Sequence, residues 1–129
     1  MRGIASDVEL KRIIADFIAL LSNGITVDRV MLFGSYANGT PHEWSDIDLA
    51  VVSPDFEGMP TSRRQARLAV LTLDRDRRIA PLGYAPSEYQ DPGRHSFLGE
   101  ILRTGRTVYQ TEEAARILVD LSVGPTQMT

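Results

Sequence analysis

A chain of 129 residues, 43% hydrophobic and 24% charged, has enough apolar content for one core of its own and no room for a second full domain. Its formal charge of -3 supplies no overall basic field, which excludes indiscriminate binding to duplex nucleic acid and leaves only local contacts. Cysteine is absent, so disulfides and thiolate metal sites are excluded and a reducing compartment fits.

The first residues, "MRGIASDVELKR", turn charged at once and lack the apolar centre of a signal peptide. No apolar run approaches the roughly 20 residues of a membrane span. The expectation is a cytoplasmic protein with no membrane segment, residues 1–129 forming one domain and residues 1–5 and 125–129 frayed.

In chain order, "SDVELKRIIADFIALLSNG" places Leu10, Ile13, Ile14, Phe17, Leu20 and Leu21 at helical spacing, with Ser6 and Glu9 as a capping box and Gly24 as a stop. "VDRVMLFGS" is a β-branched and apolar run that empties into a tight turn at Gly34-Ser35. "DIDLAVVS" makes a second strand before Pro54, and residues 62–73 a helix with a basic first half. A third strand covers "RIAPLGY", where Pro81 lacks a backbone donor and belongs at an edge. "SFLGEILRTG" is a short helix, "RTVYQ" a strand, and "TEEAARILVDLSVG" a last helix whose Thr111, Glu112 and Glu113 suit a positive N-terminal end. Alternating helices and strands without an internal repeat indicate one α/β unit.

Two features carry chemistry. The "FGS" turn offers backbone donors and a hydroxyl on which a polyphosphate could rest, although it is no Walker loop, since the spacing and the lysine are missing. Asp46 and Asp48 flank a single Ile47 at a strand start, so both carboxylates project to one face. Such a pair is expensive to bury unless a cation neutralises it, and oxygen-only ligation suits Mg²⁺ carrying nucleotide phosphates.

"GSYANG" followed by "SDIDLAVV" resembles the nucleotidyltransferases of the DNA polymerase β superfamily, above all their minimal single-domain members. Gly34, Ser35, Gly39, Asp46 and Asp48 match that pattern position by position, and the order of elements matches over nearly the whole chain. The resemblance implies an α/β (α+β) nucleotidyltransferase fold, a mixed β-sheet flanked by helices. It further implies Mg²⁺ (or Mn²⁺) held by Asp46 and Asp48, with ATP or another nucleoside triphosphate on Gly34, Ser35, Gly39 and Ser45. The implied reaction transfers a nucleoside monophosphate to a hydroxyl.

Two positions depart from the family. Many minimal members have arginine where this chain has Asn38. Family members also complete the metal site with a third carboxylate on the next strand, in a text such as "RIEP"; here it is "RIAP", and Ala80 cannot ligate a metal. Asp76 shares the strand parity of Ala80 but lies about 13 Å away along a strand, and Glu43 and Glu88 fall in loops. Ala80 should therefore spare nucleotide binding more than chemistry. It marks either a binder derived from an enzyme or an inactivating substitution.

Other residues carry less. His42 and His95 are too far apart in sequence to suggest zinc, Trp44 is expected to seal its loop against the core rather than stack on a base, and Arg63, Arg64, Arg67, Arg75, Arg77 and Arg78 read as two solvated basic faces, with a surface for phosphate or an acidic partner as the alternative. Small members of the resembled family are frequently paired with a helical HEPN-type toxin, which implies a tyrosine hydroxyl of such a partner as acceptor. A non-catalytic antitoxin module and an aminoglycoside-type small-molecule transferase are the competing readings.

Overall fold

The computed structural model describes residues 3–93 and 96–112. Helix α1 (Asp7–Leu21) starts at the expected capping box: the Ser6 hydroxyl accepts the Glu9 N–H at 3.2 Å, and the Glu9 carboxylate accepts the Ser6 N–H at 3.3 Å. It stops earlier than the glycine suggested, with Ser22 as its cap. Gly24 serves packing instead, because a Cβ there would run into Leu71.

Strands β1 (Arg29–Phe33) and β2 (Ile47–Val52) are the two central strands of a four-stranded sheet ordered β3-β2-β1-β4. Both are covered on two faces, which is why they read as continuous apolar runs rather than alternating ones. β1 pairs antiparallel with β2 and with β4 (Arg106–Gln110), whereas β3 (Ile79–Tyr84) joins β2 in parallel, so the sheet is mixed as the resemblance implied. The parallel connection needs a crossover, supplied by α3 (Thr61–Leu71).

The two faces have separate cores. Val30, Leu32, Leu49, Val51 and Ile79 belong to one with Phe17 and Leu21 of α1 and Leu68 of α3. Met31, Phe33, Ala50, Val52 and Leu82 belong to the other with Leu98 and Ile101 of α5 (Phe97–Thr104). Ala5, expected to fray, is buried, and its N–H donates to the Tyr36 hydroxyl at 3.0 Å. The last helix lies outside the described residues from 113 onward, as do the tail 125–129 and His95.

The outer edge of β3 is closed by side chains. Pro81 has no N–H to offer, and its carbonyl accepts from Gln65 Nε2 at 2.9 Å. Arg64 is buried, contrary to a solvated basic face. It donates to the Gly83 carbonyl at 3.2 Å and the Met59 carbonyl at 2.7 Å, and pairs with Glu88 at 2.6 Å. Glu88 stands on a short helix α4 (Pro86–Gln90), where it also accepts the Ala85 N–H at 2.8 Å. A guanidinium can be buried here because nearly every donor has an acceptor.

The Arg64 hydrogen bond, first, and the Ala85 N–H hold the Glu88 carboxyl below its usual range, against the opposing effect of burial. A lowered native value means stability that is present above the unfolded carboxylate range and lost as pH falls through the native value. Glu88→Gln should therefore cost about 1–2 kcal/mol near neutrality, moderated by the exposed side of Glu88. In urea melts the difference from the native chain should close as the solution is acidified.

Candidate functional site

Phe33, the last residue of β1, stands opposite Asp48 in the antiparallel register, and the chain turns immediately at Gly34. Gly34 has φ 74° and ψ −155°, a conformation that side chains with a Cβ avoid. A Cβ there would also collide with the Asp48 carboxylate, so the glycine both makes the turn and admits the acid. Behind it the sequence reading had only a turn; the structure has a single-turn helix α2 (Ser35–Asn38), whose Ser35 and Tyr36 N–H groups fall outside the helical ladder. Gly39 ends α2 in the left-handed conformation, φ 74° and ψ 20°, with open space around it.

The loop back to β2 is tied internally. Ser45 is buried and its hydroxyl oxygen accepts the His42 N–H at 2.9 Å, so it shapes the loop rather than lining its surface. His42 is exposed, with Nδ1 accepting from the Trp44 N–H at 3.2 Å. Trp44 does not seal the loop against the core: it is 60% exposed. Asp46 is exposed and Asp48 half-buried. Burial, first, and the adjacent Asp46 push the Asp48 carboxyl above its usual value.

Ala80 pairs with Asp48 in the parallel register of β2 and β3. Since equivalent positions on neighbouring strands share a face, the expected parity holds, and position 80 stands beside Asp48. None of the acids considered as substitutes fills the gap. Asp76 lies before β3 and is bonded by the Arg78 guanidinium at 2.9 and 3.0 Å, while Glu88 is occupied by Arg64 and Glu43 is an exposed loop residue. Among the described residues no group of three or more His, Cys, Asp or Glu side chains is placed to hold a metal ion.

A cleft of about 490 Å³ opens beside Asp48 and Ala80 and extends to Gln65 and Arg75, with Phe33 and Phe97 among its apolar walls. The two rings meet edge to face, 5.7 Å between centroids at 82°. Gln65 was missed by sequence reasoning because it belongs to no motif and sits inside a helix otherwise noted for its arginines. Arg75 was noted, but as part of a cluster read as a solvated face, with a surface for phosphate or an acidic partner as the alternative.

The family model described as "Nucleotidyltransferase domain" matches residues 10–123. The chain belongs to the nucleotidyltransferase domain family. No curated protein sequence matches it. Among solved structures, a nucleotidyltransferase of Sulfolobus solfataricus is similar at 16% identity and TM-score 0.62, over 82% of this chain and 85% of that one. A toxin–antitoxin structure with AMP-PNP is similar at 22% identity and TM-score 0.50, over 92% and 87%. A complex of a tri-AMPylated Shewanella oneidensis HEPN toxin with its MNT antitoxin reaches 19% identity and TM-score 0.44, over 92% and 87%. At these identities the first two likenesses concern the fold alone.

The raised Asp48 value has a consequence for stability. A native carboxyl that holds its proton more tightly than the unfolded one contributes most in acid, and that contribution is lost as pH rises through the raised value. In this nucleotidyltransferase domain, Asp48→Asn should therefore raise Tm at neutral pH by about 2–4 °C. The gain should vanish in acid, where Asp48 is protonated; calorimetry across pH measures both.

Proposed function

We propose that this domain binds a nucleoside triphosphate such as ATP at Gly34 and Ser35 and transfers its nucleoside monophosphate to a hydroxyl acceptor. Its setting is that of a cytoplasmic antitoxin, and the acceptor is a tyrosine of a helical HEPN-type partner. The observation that carries the reading is the Asp48 carboxylate packed over Gly34, with Asp46 beside it. That arrangement puts two oxygen-donor groups at the mouth of a glycine turn, which is where a phosphate-bound cation would be held.

The residues fit one Mg²⁺ or Mn²⁺. The donors are all oxygen, the pair is strained by its own repulsion, and one or two carboxylates plus substrate phosphates suffice for such an ion. Asp46 and Asp48 would hold it, and when bound it would neutralise charge developing on the phosphates. Gly34 lets the backbone approach the polyphosphate, and the Ser35 hydroxyl and N–H donate to it. The acceptor oxygen attacks the α-phosphorus in line; the new P–O bond forms as the bond from the α-phosphorus to the bridging oxygen breaks, pyrophosphate leaves on the opposite side, and the hydroxyl proton passes to solvent. At position 80 no carboxylate stands to orient or deprotonate that oxygen, so transfer by this chain is slow while nucleotide binding is retained.

The antitoxin setting follows the toxin–antitoxin neighbour with AMP-PNP and the family resemblance of the motif. Ala80 favours a second reading, an antitoxin module that binds nucleotide and partner without transfer.

Titration calorimetry tests the site. ATP should bind measurably better with Mg²⁺ than with chelator, and the Asp46→Asn/Asp48→Asn double variant should lose that gain; equal affinity in both conditions removes the metal assignment. Ala80→Glu tests the chemistry. It should raise transfer of labelled nucleotide to the partner protein at least about 10²-fold, the effect of one positioned acid–base group. Mg·ATP affinity should change much less. Nucleotide binding without transfer in either form selects the non-catalytic module.

A further inference from the structure

Register orders the site across the sheet: Gly34 at the end of β1, Asp48 on β2, Ala80 on β3, then the outer edge of β3. Gln65 is at that edge, bonded to the Pro81 carbonyl, and shares the cleft with Asp48, Ala80 and Arg75. Position 80 carries only a methyl group, and Asp48 and Arg75 border the same cleft. One part is acidic, another carries a guanidinium, and the aromatic pair Phe33–Phe97 forms part of the wall.

Arg75 is unlike Arg64 and Arg78. Arg64 is paired with Glu88, and Arg78 with Asp76 and Glu9. Arg75 is half-buried, yet its bonds go to the Thr72 carbonyl at 3.2 Å and hydroxyl at 3.3 Å, and among the described residues no carboxylate pairs with it. Its Nε is buried without a partner, and so is the Gln65 side-chain oxygen. Each such orphan costs about 1–3 kcal/mol. Both residues border one cleft, and one offers a donor and a charge where the other offers an acceptor. A ligand that brings a carboxylate and an N–H, turning the two side chains toward it, satisfies both.

We propose that the β3 side of the cleft is the acceptor subsite, where Arg75 pairs with a carboxylate next to the hydroxyl to be modified on a polypeptide and Gln65 accepts a backbone N–H of that segment. The proposal rests on the nucleotidyltransferase reading of Asp46 and Asp48. A polypeptide fits better than a nucleic acid, because a phosphodiester backbone on the β3 side of this cleft would meet apolar and aromatic walls and, among the described lining residues, a single guanidinium. The occupant also docks through side chains rather than as an added strand, since the β3 edge carbonyls of Pro81 and Gly83 are already bonded and Pro81 has no N–H.

The test uses two fluorescein-labelled tyrosine peptides identical but for Glu or Gln beside the tyrosine, titrated by anisotropy with Mg·ATP present. The Glu peptide should bind about 10-fold tighter, as expected for one charge-assisted bidentate bond. Arg75→Leu should erase the preference, Arg75→Lys should keep part of it, and Mg·ATP affinity should be unchanged in both. Equal binding of the two peptides, no binding of either, a preference that survives Arg75→Leu, or stronger competition by a short oligoribonucleotide overturns the proposal. A purely structural Arg75 would instead lower Tm and weaken both peptides alike. Failure of Mg·ATP to bind the native chain is a separate outcome, which removes the nucleotidyltransferase reading and the acceptor assignment with it.

Discussion

The Asp48 carboxylate lies against the α-carbon of Gly34, and most of the site follows from that one contact. It requires glycine at position 34, because any Cβ would occupy the same space. It arises because the antiparallel register that sets Phe33 opposite Asp48 brings Gly34 and Asp48 together. It also takes a carboxylate partly out of water beside a second one, an arrangement that costs stability until positive charge arrives. A fold that tolerates this cost must supply the difference elsewhere. The two fully covered central strands, with helices packed on both faces, do so.

The second organising element is the buried Arg64. From the crossover helix it reaches two backbone carbonyls and the Glu88 carboxylate, and so joins α3, the edge strand and α4. Position 80 keeps its place beside Asp48 because β3 is held between β2 on one side and these side-chain bonds on the other. The geometry of a carboxylate site thus depends on a cation that never touches it.

Much of this was legible in the sequence, and the reasons differ by element. Ser6 and Glu9 announced α1 through local chemistry, Pro81 announced an edge strand through its missing donor, and the i, i+2 spacing of Asp46 and Asp48 announced two carboxylates near enough to act on each other, although Asp46 stands just before β2. The parity of Ala80 was readable too, since it needed only strand alternation and a motif to count from. Burial of charge was not. Arg64 and Arg67 look alike in sequence, yet one is enclosed and the other exposed, and that difference is made by carbonyls and acids 5 to 24 residues away in the chain. Trp44 misled for the converse reason: a large aromatic ring suggests burial, but its loop is held by the Ser45 and His42 bonds and leaves the ring outside. Single-turn helices such as α2 and α4 are too short for any periodicity to register.

The one-sided pairing of β3 bears on how the molecule breathes. β1 and β2 each have strand neighbours on both sides, so the Gly34 turn belongs to the most cooperative layer of the sheet. β3 is secured outwardly by side-chain bonds, and the ion pair among them weakens when Glu88 takes up a proton. Sub-global opening of β3 should therefore precede that of the β1–β2 pair. Amide protons of Leu82 and Tyr84 would then exchange earlier than those of Leu32 and Ala50, with the gap widening in acid. The Gly34 turn and the β3 side of the cleft are, in this sense, separate units of native-state exchange.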